Sequence, residues 1–201
     1  PTINSATSGA GTSLVKDGAG TLTFSGGKTY TGATTVAAGQ LVLSNASGFV
    51  SATTVNSGAT LTFTGTGSVT AAAPVTLNDG ATLQNLNPSA ATVLTGAVNT
   101  SGNTSIIINQ TAGGGRNLFL DGGLRGSGTV TVNAVNGGTA LSLRNNNSTF
   151  AGTLVVNGVA SAQAGVGSGL ALGGPGTSNA LINAHVVLNG TIELADQGMG
   201  W

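Results

Sequence analysis

The hydrophobic and polar residues of this chain alternate in short runs behind a recurring landmark. The landmark is an apolar residue, two small or polar residues and a glycine, with a short apolar alternation after it. It is found as VAAG at 36–39, VNSG at 55–58, LNDG at 77–80 and VLNG at 187–190. Side chains that alternate with a period of two face opposite sides of a strand, and no window shows helical spacing. The pattern therefore predicts an all-β fold.

The glycines of the landmark recur at nearly constant spacing, as Gly39, Gly58 and Gly80 show. Glycine tolerates the positive φ of a tight corner, and a nearly fixed period favours stacked coils of about 20–22 residues. However, the strand candidates also recur at intervals of about 8–12 residues, which is the spacing of an antiparallel sandwich or barrel. The periodicity leaves both arrangements open.

Composition favours strands over disorder. Glycine accounts for 35 of the 201 residues and charged residues for 5%, against roughly 7% and about a quarter in ordinary globular domains. Disordered chains are polar, charged and poor in β-branched residues. This chain instead has 30 Thr, 18 Val and 6 Ile, which are the residue types enriched in strands.

The charge balance limits the possible partners. The formal net charge is zero, and only five residues are basic. Such a chain offers no positive surface for nucleic acid or for anionic lipid. No apolar run reaches the length of roughly 18 residues that a membrane-spanning helix requires. We therefore expect no nucleic acid partner and no membrane insertion by this segment.

The side chains that carry most catalysis and metal binding are sparse. His185 is the only histidine, and it has no second His, Cys or acid at the spacing of metal ligands. Glu193 and Asp196 form the closest acidic pair, but an offset of three positions along a strand sends their side chains to opposite faces. The sequence predicts no catalytic, cofactor-binding or metal-binding residue and a protein that is not an enzyme.

Two surface features are candidate ligand sites. Arg116, Asp121 and Arg125 could bracket an anionic sugar or a partner protein, although a solvated loop with a modest ion pair is the simpler interpretation. Threonine occupies every second position of 60–66, and a regular threonine array on a stack of coils could bind ice. Because Gly65 and several valines interrupt the register, hydroxyl groups that pair along a sheet face are the preferred interpretation.

A resemblance decides between stacked coils and a sandwich. The stretch GAGTLTFSGGKTYTGATTVAAGQLVLS, residues 18–44, resembles the autotransporter-associated β-strand repeat found in the passenger domains of bacterial autotransporters. We place this first repeat at 16–44. The residues that carry the resemblance are Gly18, Gly20, Leu22, Phe24, Tyr30, Gly32, Thr34, Val36, Gly39, Leu41 and Leu43.

Two further stretches resemble the same repeat less closely. The stretch 126–158 repeats the order of the motif, with Leu141 and Leu143 in place of Leu22 and Phe24. Its other matching residues are Phe150, Gly152, Val156 and Gly158. It departs from the first copy by having NNNS in place of GGK and no Leu-x-Leu after its closing glycine. A weaker third copy is expected at 168–196.

The resemblance implies a right-handed parallel β-helix that is exported through the outer membrane and displayed at the bacterial surface. In that family the repeat is linked with transport and folding of the passenger and carries no catalysis. We expect residues 1–201 to form one solenoid segment that acts as a stalk, a transport or folding aid, or an adhesive surface. The alternatives are a subunit that associates end to end into an extracellular filament, and a β-helix that binds or cleaves polysaccharide. A host surface or a polysaccharide is the expected ligand class.

Overall fold

The computed structural model describes residues 1–5, 7–44, 46, 49–88, 90–109, 116–136, 139–143, 149–158, 168–172, 181, 183–190 and 192–196. Within these residues the regular elements are 22 short strands, and there is no helix, so none that could span a membrane. The strands form three sheets of nine, six and seven strands. The prediction of an all-β fold is confirmed.

The first sheet contains the longest series of strands. Its members are β1 (Thr2–Ile3), β3 (Thr21–Phe24), β5 (Gln40–Leu43), β7 (Thr60–Phe63), β10 (Thr82–Asn85), β13 (Asn103–Ile108), β16 (Thr129–Ala134), β19 (Thr153–Gly158) and β21 (His185–Gly190). The second sheet begins only after β7. It consists of β8 (Val69–Ala71), β11 (Thr92–Leu94), β14 (Arg116–Leu120), β17 (Thr139–Leu143), β20 (Ser168–Leu172) and β22 (Ile192–Asp196). The third sheet consists of β2 (Leu14–Lys16), β4 (Thr34–Val36), β6 (Thr53–Val55), β9 (Val75–Leu77), β12 (Val98–Thr100), β15 (Leu124–Gly126) and β18 (Thr149–Phe150).

The connectivity of the sheets is that of a parallel β-helix. From β7 to β19 the chain passes from the first sheet to the second, then to the third, and back to the first one coil further on. After β19 the described strands alternate between two sheets, with β20 and β22 in the second sheet and β21 in the first. Every strand pair in the described part of the chain is parallel. An antiparallel sandwich is therefore ruled out, and stacked coils are confirmed.

The later coils are longer than the early ones, although the coil from Val132 to Val156 is shorter than the coil before it. The length of each coil is the interval between successive partners in the inner column of the first sheet. The members of this column are Leu22, Leu41, Leu61, Leu83, Ile106, Val132, Val156 and Leu188. The first three intervals are close to the predicted period, and the last one is the longest. The first two coils are the shortest because they consist of strands of the first and third sheets alone.

The core consists of columns of identical or similar side chains that stack from coil to coil. Leu41, Leu61, Leu83, Ile106 and Val132 are successive partners in the first sheet, and each is 0% exposed. Neighbouring strands lie about 4.8 Å apart, so each side chain packs directly between its two neighbours in the column. Every coil thus buries its apolar residues against the next, as the recurring pattern predicts.

Glycine corners allow the coils to stack closely. Gly18, Gly39, Gly58, Gly80 and Gly102 precede strands of the first sheet, and their φ values lie between 67° and 79°. A residue with a Cβ is strained at such φ values. At Gly39 a Cβ would also overlap the carbonyl oxygen of Gly18, one coil earlier. Glycine is therefore required at that corner both by its φ value and by the closeness of the neighbouring coil.

Candidate functional site

The motif residues of the first repeat line the inside of the N-terminal coils. Phe24, Leu41 and Leu43 face the core from β3 and β5, and Val36 faces it from β4, all at most 3% exposed. Leu22 packs against the same cluster and is partly buried. These residues form the hydrophobic interior of the repeat, as an alternating motif requires.

The aromatic part of the motif forms a buried chain of hydroxyl groups. The Tyr30 and Thr34 side-chain oxygens lie 2.7 Å apart, and the Thr34 and Ser51 oxygens are also 2.7 Å apart. Ser51 donates to the backbone carbonyl of Gly32 at 2.6 Å. Since each hydroxyl has one proton, Thr34 donates to Ser51 and Tyr30 donates to Thr34. Burial raises the pKa of Tyr30 above its ordinary value, although hydrogen bonds to Thr34 and Ser51 oppose this shift.

The same part of the motif fixes the path of the chain between the two sheets. The Tyr30 ring meets the ring of Phe49 edge to face, with centroids 6.3 Å apart and planes at 77°. Edge-to-face contact is a favoured arrangement for aromatic pairs. A Cβ on Gly32 would overlap the backbone carbonyl of Thr12 in the preceding coil. The tyrosine, the glycine and Thr34 therefore make their contacts within the N-terminal coils.

Two lysines lie inside the N-terminal coils, where no pattern in the sequence predicts a buried charge. Lys16 is 6% exposed, and its Nζ donates to the carbonyl oxygens of Asp17, Gly18 and Ala38 at 2.9, 2.7 and 2.9 Å. Three carbonyl partners satisfy the three donors of an ammonium group. Lys16 thus ties its own corner to the corner of the next coil.

Lys28 is buried in a more apolar setting. It is 1% exposed, its Nζ donates to the carbonyl oxygen of Gly26, and Nζ lies 5.8 Å from the centroid of the Phe24 ring. Burial lowers the pKa of Lys28 from 10.5 to about 8. The direction follows from desolvation, which disfavours the charged form of a base.

The later predicted copies of the repeat have a different position in the fold. Leu141 lies in the second sheet, whereas its counterpart Leu22 lies in the first. Val156 lies in the first sheet, whereas Val36 lies in the third. Similar sequences therefore lie on different sheets.

Individual features of the second copy do match the first. Phe150 is 1% exposed in β18. A Cβ on Gly152 would overlap the carbonyl oxygen of Gly128 one coil earlier, as one on Gly32 would overlap that of Thr12. Gly158 ends β19 and pairs with Gly190. The stretch 168–196 contains β20, β21 and β22.

The candidate ligand patch is divided between sheets. Arg116 begins β14 of the second sheet, and its side chain lies outside the described part of the structure. Asp121 is partly buried in the turn that follows this strand, and Arg125 is exposed in β15 of the third sheet. A ligand at these three residues stays a prediction.

The structure groups few residues of the kind used in metal binding. Among the described residues no three or more His, Cys, Asp or Glu side chains come together as a metal site would require. His185 is exposed at the first position of β21, and Glu193 and Asp196 both lie in β22, where their side chains are outside the described part.

A polar groove on the outer face of the first sheet is the feature that the sequence did not predict. Thr21, Gln40, Thr60 and Thr82 are successive partners in register and face outward. The groove above them has a volume of about 400 Å³ and is also lined by Gln84. Threonine at alternate positions is the sequence pattern that indicates this outer face. The groove itself forms only because distant stretches of the chain lie side by side.

One wall of the groove is held by hydrogen bonds between side chains of three coils. Gln40 Nε2 donates to Thr62 Oγ1 at 2.8 Å, and Thr62 Oγ1 donates to Gln84 Oε1 at 3.1 Å. Thr62 is only 1% exposed although it faces outward. The Thr62 hydroxyl is therefore paired with glutamine side chains of the adjacent coils, whereas pairing of the other alternating threonines along the sheet face stays a prediction.

Comparison with known proteins identifies the N-terminal coils. Two overlapping stretches, residues 14–43 and residues 38–62, match the family model of the passenger-associated-transport-repeat. Neither a curated protein nor a solved structure matches the chain. The resemblance of residues 16–44 to a passenger repeat is thus confirmed. The copies at 126–158 and 168–196 lie outside the matched residues and stay predictions.

The matched repeats coincide with a distinct part of the solenoid. They extend from β2 to β7 and share the corner at Gly39, and the second sheet begins only at Val69. The repeat therefore corresponds to the short coils built from the first and third sheets alone. Residues 14–62 of the parallel β-solenoid are thus similar to passenger-associated-transport repeats.

Proposed function

We propose that this chain is a non-catalytic segment of an autotransporter-like passenger, exported to the bacterial surface, where it serves as a structural stalk. The observation that carries the proposal is the coincidence of two transport repeats with the compact N-terminal coils of one continuous solenoid. The nine-strand first sheet would hold whatever follows it about 38 Å from its starting point, at about 4.8 Å per strand.

The fold suits a chain that crosses a membrane unfolded and folds afterwards. Each strand bonds only to strands in the adjacent coils, so the stability of the array is a sum of terms between neighbours. A coil can therefore add to an existing coil without distant parts of the chain. The chain has no cysteine, so no disulfide has to form or break during passage.

We further propose that the repeats at 14–62 aid transport by folding readily. Their coils, from Leu22 to Leu41 and from Leu41 to Leu61, are the shortest along the first sheet, and a shorter closed loop costs less chain entropy. The buried hydroxyl chain that begins at Tyr30 and the three carbonyl bonds of Lys16 lie in these coils. Such polar contacts favour one register over slipped alternatives.

The transport role can be tested with two matched glycine variants. Gly39 and Gly128 both have positive φ, and a Cβ on either would overlap the carbonyl of a corner glycine one coil earlier. Only Gly39 lies in a matched repeat. The chain would be placed between a signal peptide and a translocator barrel, and surface display measured by antibody binding to intact cells.

We expect Gly39→Val to reduce display more than Gly128→Val at equal expression. Far-ultraviolet circular dichroism of the purified variants separates loss of display from loss of folded protein. Equal reductions in display would contradict a special role of the repeats. If unaltered protein remained inside the cells, the proposal of surface export itself would be wrong.

One observation favours a second candidate, a subunit of a surface filament. Leu188 continues the buried column of Val156 in the last strand of the first sheet, but it is 40% exposed, whereas Val156 is 0% exposed. An exposed apolar side chain in this column could stack on another copy of the chain. Electron microscopy at micromolar concentration would distinguish the two functions, since uniform short rods would exclude the filament.

A further inference from the structure

The groove on the outer face of the first sheet runs along the solenoid axis across several coils. It is lined by one outer column, Thr21, Gln40, Thr60 and Thr82, and by Gln84 and Ile107 of the next outer column. Thr21 and Thr82 are three strand spacings apart, which is about 14 Å. An elongated site of this kind accommodates a polymer chain better than a compact small molecule.

Several polar groups in the groove have no partner within the described part of the chain. The hydroxyl groups of Thr60 and Thr82 make no hydrogen bond there, and Gln84 uses its Oε1 as an acceptor while its Nε2 has no acceptor. These groups offer both donors and acceptors. Ile107 adds an apolar surface beside them, and binding sites commonly combine apolar walls with a few placed polar groups.

The chemistry of the groove disfavours anionic polymers and peptides that bind by adding a strand. None of its lining residues is charged, so nucleic acid and acidic polysaccharides have no cation to bind. Extended peptides bind to sheets by adding a strand to a free edge. The strands beneath the groove, β3, β5, β7 and β10, each have a neighbour on both sides. No edge is available for a peptide at this place.

We propose that this groove binds a neutral polysaccharide whose chain lies along the solenoid axis. The hydroxyl groups of a neutral glycan both donate and accept, as the threonine and glutamine side chains require. A polymer also presents hydroxyl groups at regular intervals, and each of the four strands beneath the groove contributes one uncharged polar side chain, Thr21, Gln40, Thr60 or Thr82. The lining includes no aromatic residue, so the affinity of a single groove for the polysaccharide is weak. The inference goes beyond the stalk function and does not depend on it.

The experiment is affinity electrophoresis of the purified chain in native gels that contain a soluble polysaccharide. Dextran, mannan and laminarin serve as neutral probes and alginate as the acidic one. The test variant is Thr60→Val with Thr82→Val, which keeps the shape of the groove and removes two hydroxyl groups. The matched control is Thr54→Val with Thr76→Val, which removes two half-exposed hydroxyl groups on the outer face of the third sheet.

We expect at least one neutral polysaccharide to retard the unaltered chain and alginate to have no effect. Each lost hydroxyl contact should weaken apparent affinity about fivefold in the test variant, while the control retains full affinity. Absence of retardation by every neutral probe, equal retardation by alginate, or equal effects of both variants would overturn the proposal. A dimer that forms without polysaccharide and disappears in the test variant would show that a second copy occupies the groove instead. Because the assay uses purified protein, its failure leaves the display experiment unaffected.

Discussion

Replacing Lys28 with methionine should make the folded chain more stable at neutral pH. The lysine is 1% exposed, and burial lowers its pKa from 10.5 to about 8. At pH 7 the folded chain therefore holds an ammonium group in a desolvated site beside Phe24. Methionine has a similar length, fills the same space and has no charge to desolvate. It loses the hydrogen bond to the Gly26 carbonyl, which costs about 1–2 kcal/mol, so the net gain at neutral pH is smaller than the desolvation cost.

The expected magnitude follows from the shift in pKa. A depression from 10.5 to about 8 corresponds to about 3 kcal/mol of cost for the charged form. Between these pH values the unfolded chain binds more protons at this residue than the folded chain does, so stability rises with pH. Below pH 8 the full cost is present, and above pH 10.5 it is gone. Lys28→Met should lack this rise, so its advantage over the unaltered chain should fall by about 3 kcal/mol from pH 7 to pH 10.5.

The assay is urea unfolding followed by far-ultraviolet circular dichroism at pH 7, 8, 9, 10 and 10.5. At each pH the free energy of unfolding of the unaltered chain is subtracted from that of the variant, which removes the contribution of Tyr30 because it is the same in both. Lys16→Met is the matched control, because Lys16 is also buried but donates to three carbonyl oxygens. Loss of those bonds should destabilise the chain by about 2 kcal/mol at pH 7. A Lys28→Met difference that does not change between pH 7 and 10.5 would refute the reasoning.

Three other predictions concern the corners, the hydroxyl chain and the core, each measured by thermal or urea unfolding unless stated otherwise. Gly58→Ala should lower the free energy of unfolding by about 1–2 kcal/mol for its positive φ alone, since its Cβ would meet nothing within 4 Å. Gly39→Ala should lower it further because its Cβ would overlap backbone. Equal losses of stability would contradict the packing of the corners. Tyr30→Phe should cost about 1 kcal/mol. Because Tyr30 is the only tyrosine, the tyrosinate ultraviolet absorbance of the folded chain should have its midpoint at a higher pH than that of the unfolded chain, since burial raises the pKa of Tyr30. Leu61→Ala should cost about 3 kcal/mol and Thr54→Ala less than about 0.5 kcal/mol; similar costs would contradict the assignment of inner and outer faces.

The local features of the fold could be predicted from the sequence because each depends on a few adjacent residues. The corners at Gly39, Gly58 and Gly80 have positive φ, as the VAAG, VNSG and LNDG landmarks predict. The strands that follow these corners, β5, β7 and β10, are adjacent in the first sheet. Alternation identified their buried side, since Leu41 and Leu61 are 0% exposed.

The sheet to which a strand belongs could not be predicted in the same way. The fourth landmark, VLNG at 187–190, has the same pattern of residue types, but it lies within β21 of the first sheet and leads into the second sheet. The other three landmarks lead from the third sheet into the first. Every edge of the solenoid needs glycine corners and every face needs β-branched and apolar residues. The same residue types therefore occur at all edges, and they do not identify the sheet that follows a corner. For the same reason the second predicted repeat has its residues on different sheets from the first.

The groove and the buried lysines were missed for a related reason, because both depend on neighbours in other coils. Lys16 follows Leu14 at an inward position and shares a column with Val36 and Val55, but its three carbonyl partners become visible only when two corners are superimposed. The groove likewise needs threonine and glutamine side chains of four successive strands side by side. The last coil of the first sheet is more than half as long again as the first, so no fixed period could align these columns. In a solenoid, inner columns are mostly apolar, and polar members such as Lys16 and Thr34 depend on partners in neighbouring coils. The chemistry of an outer column is free to vary, and it is seen only once the register is known.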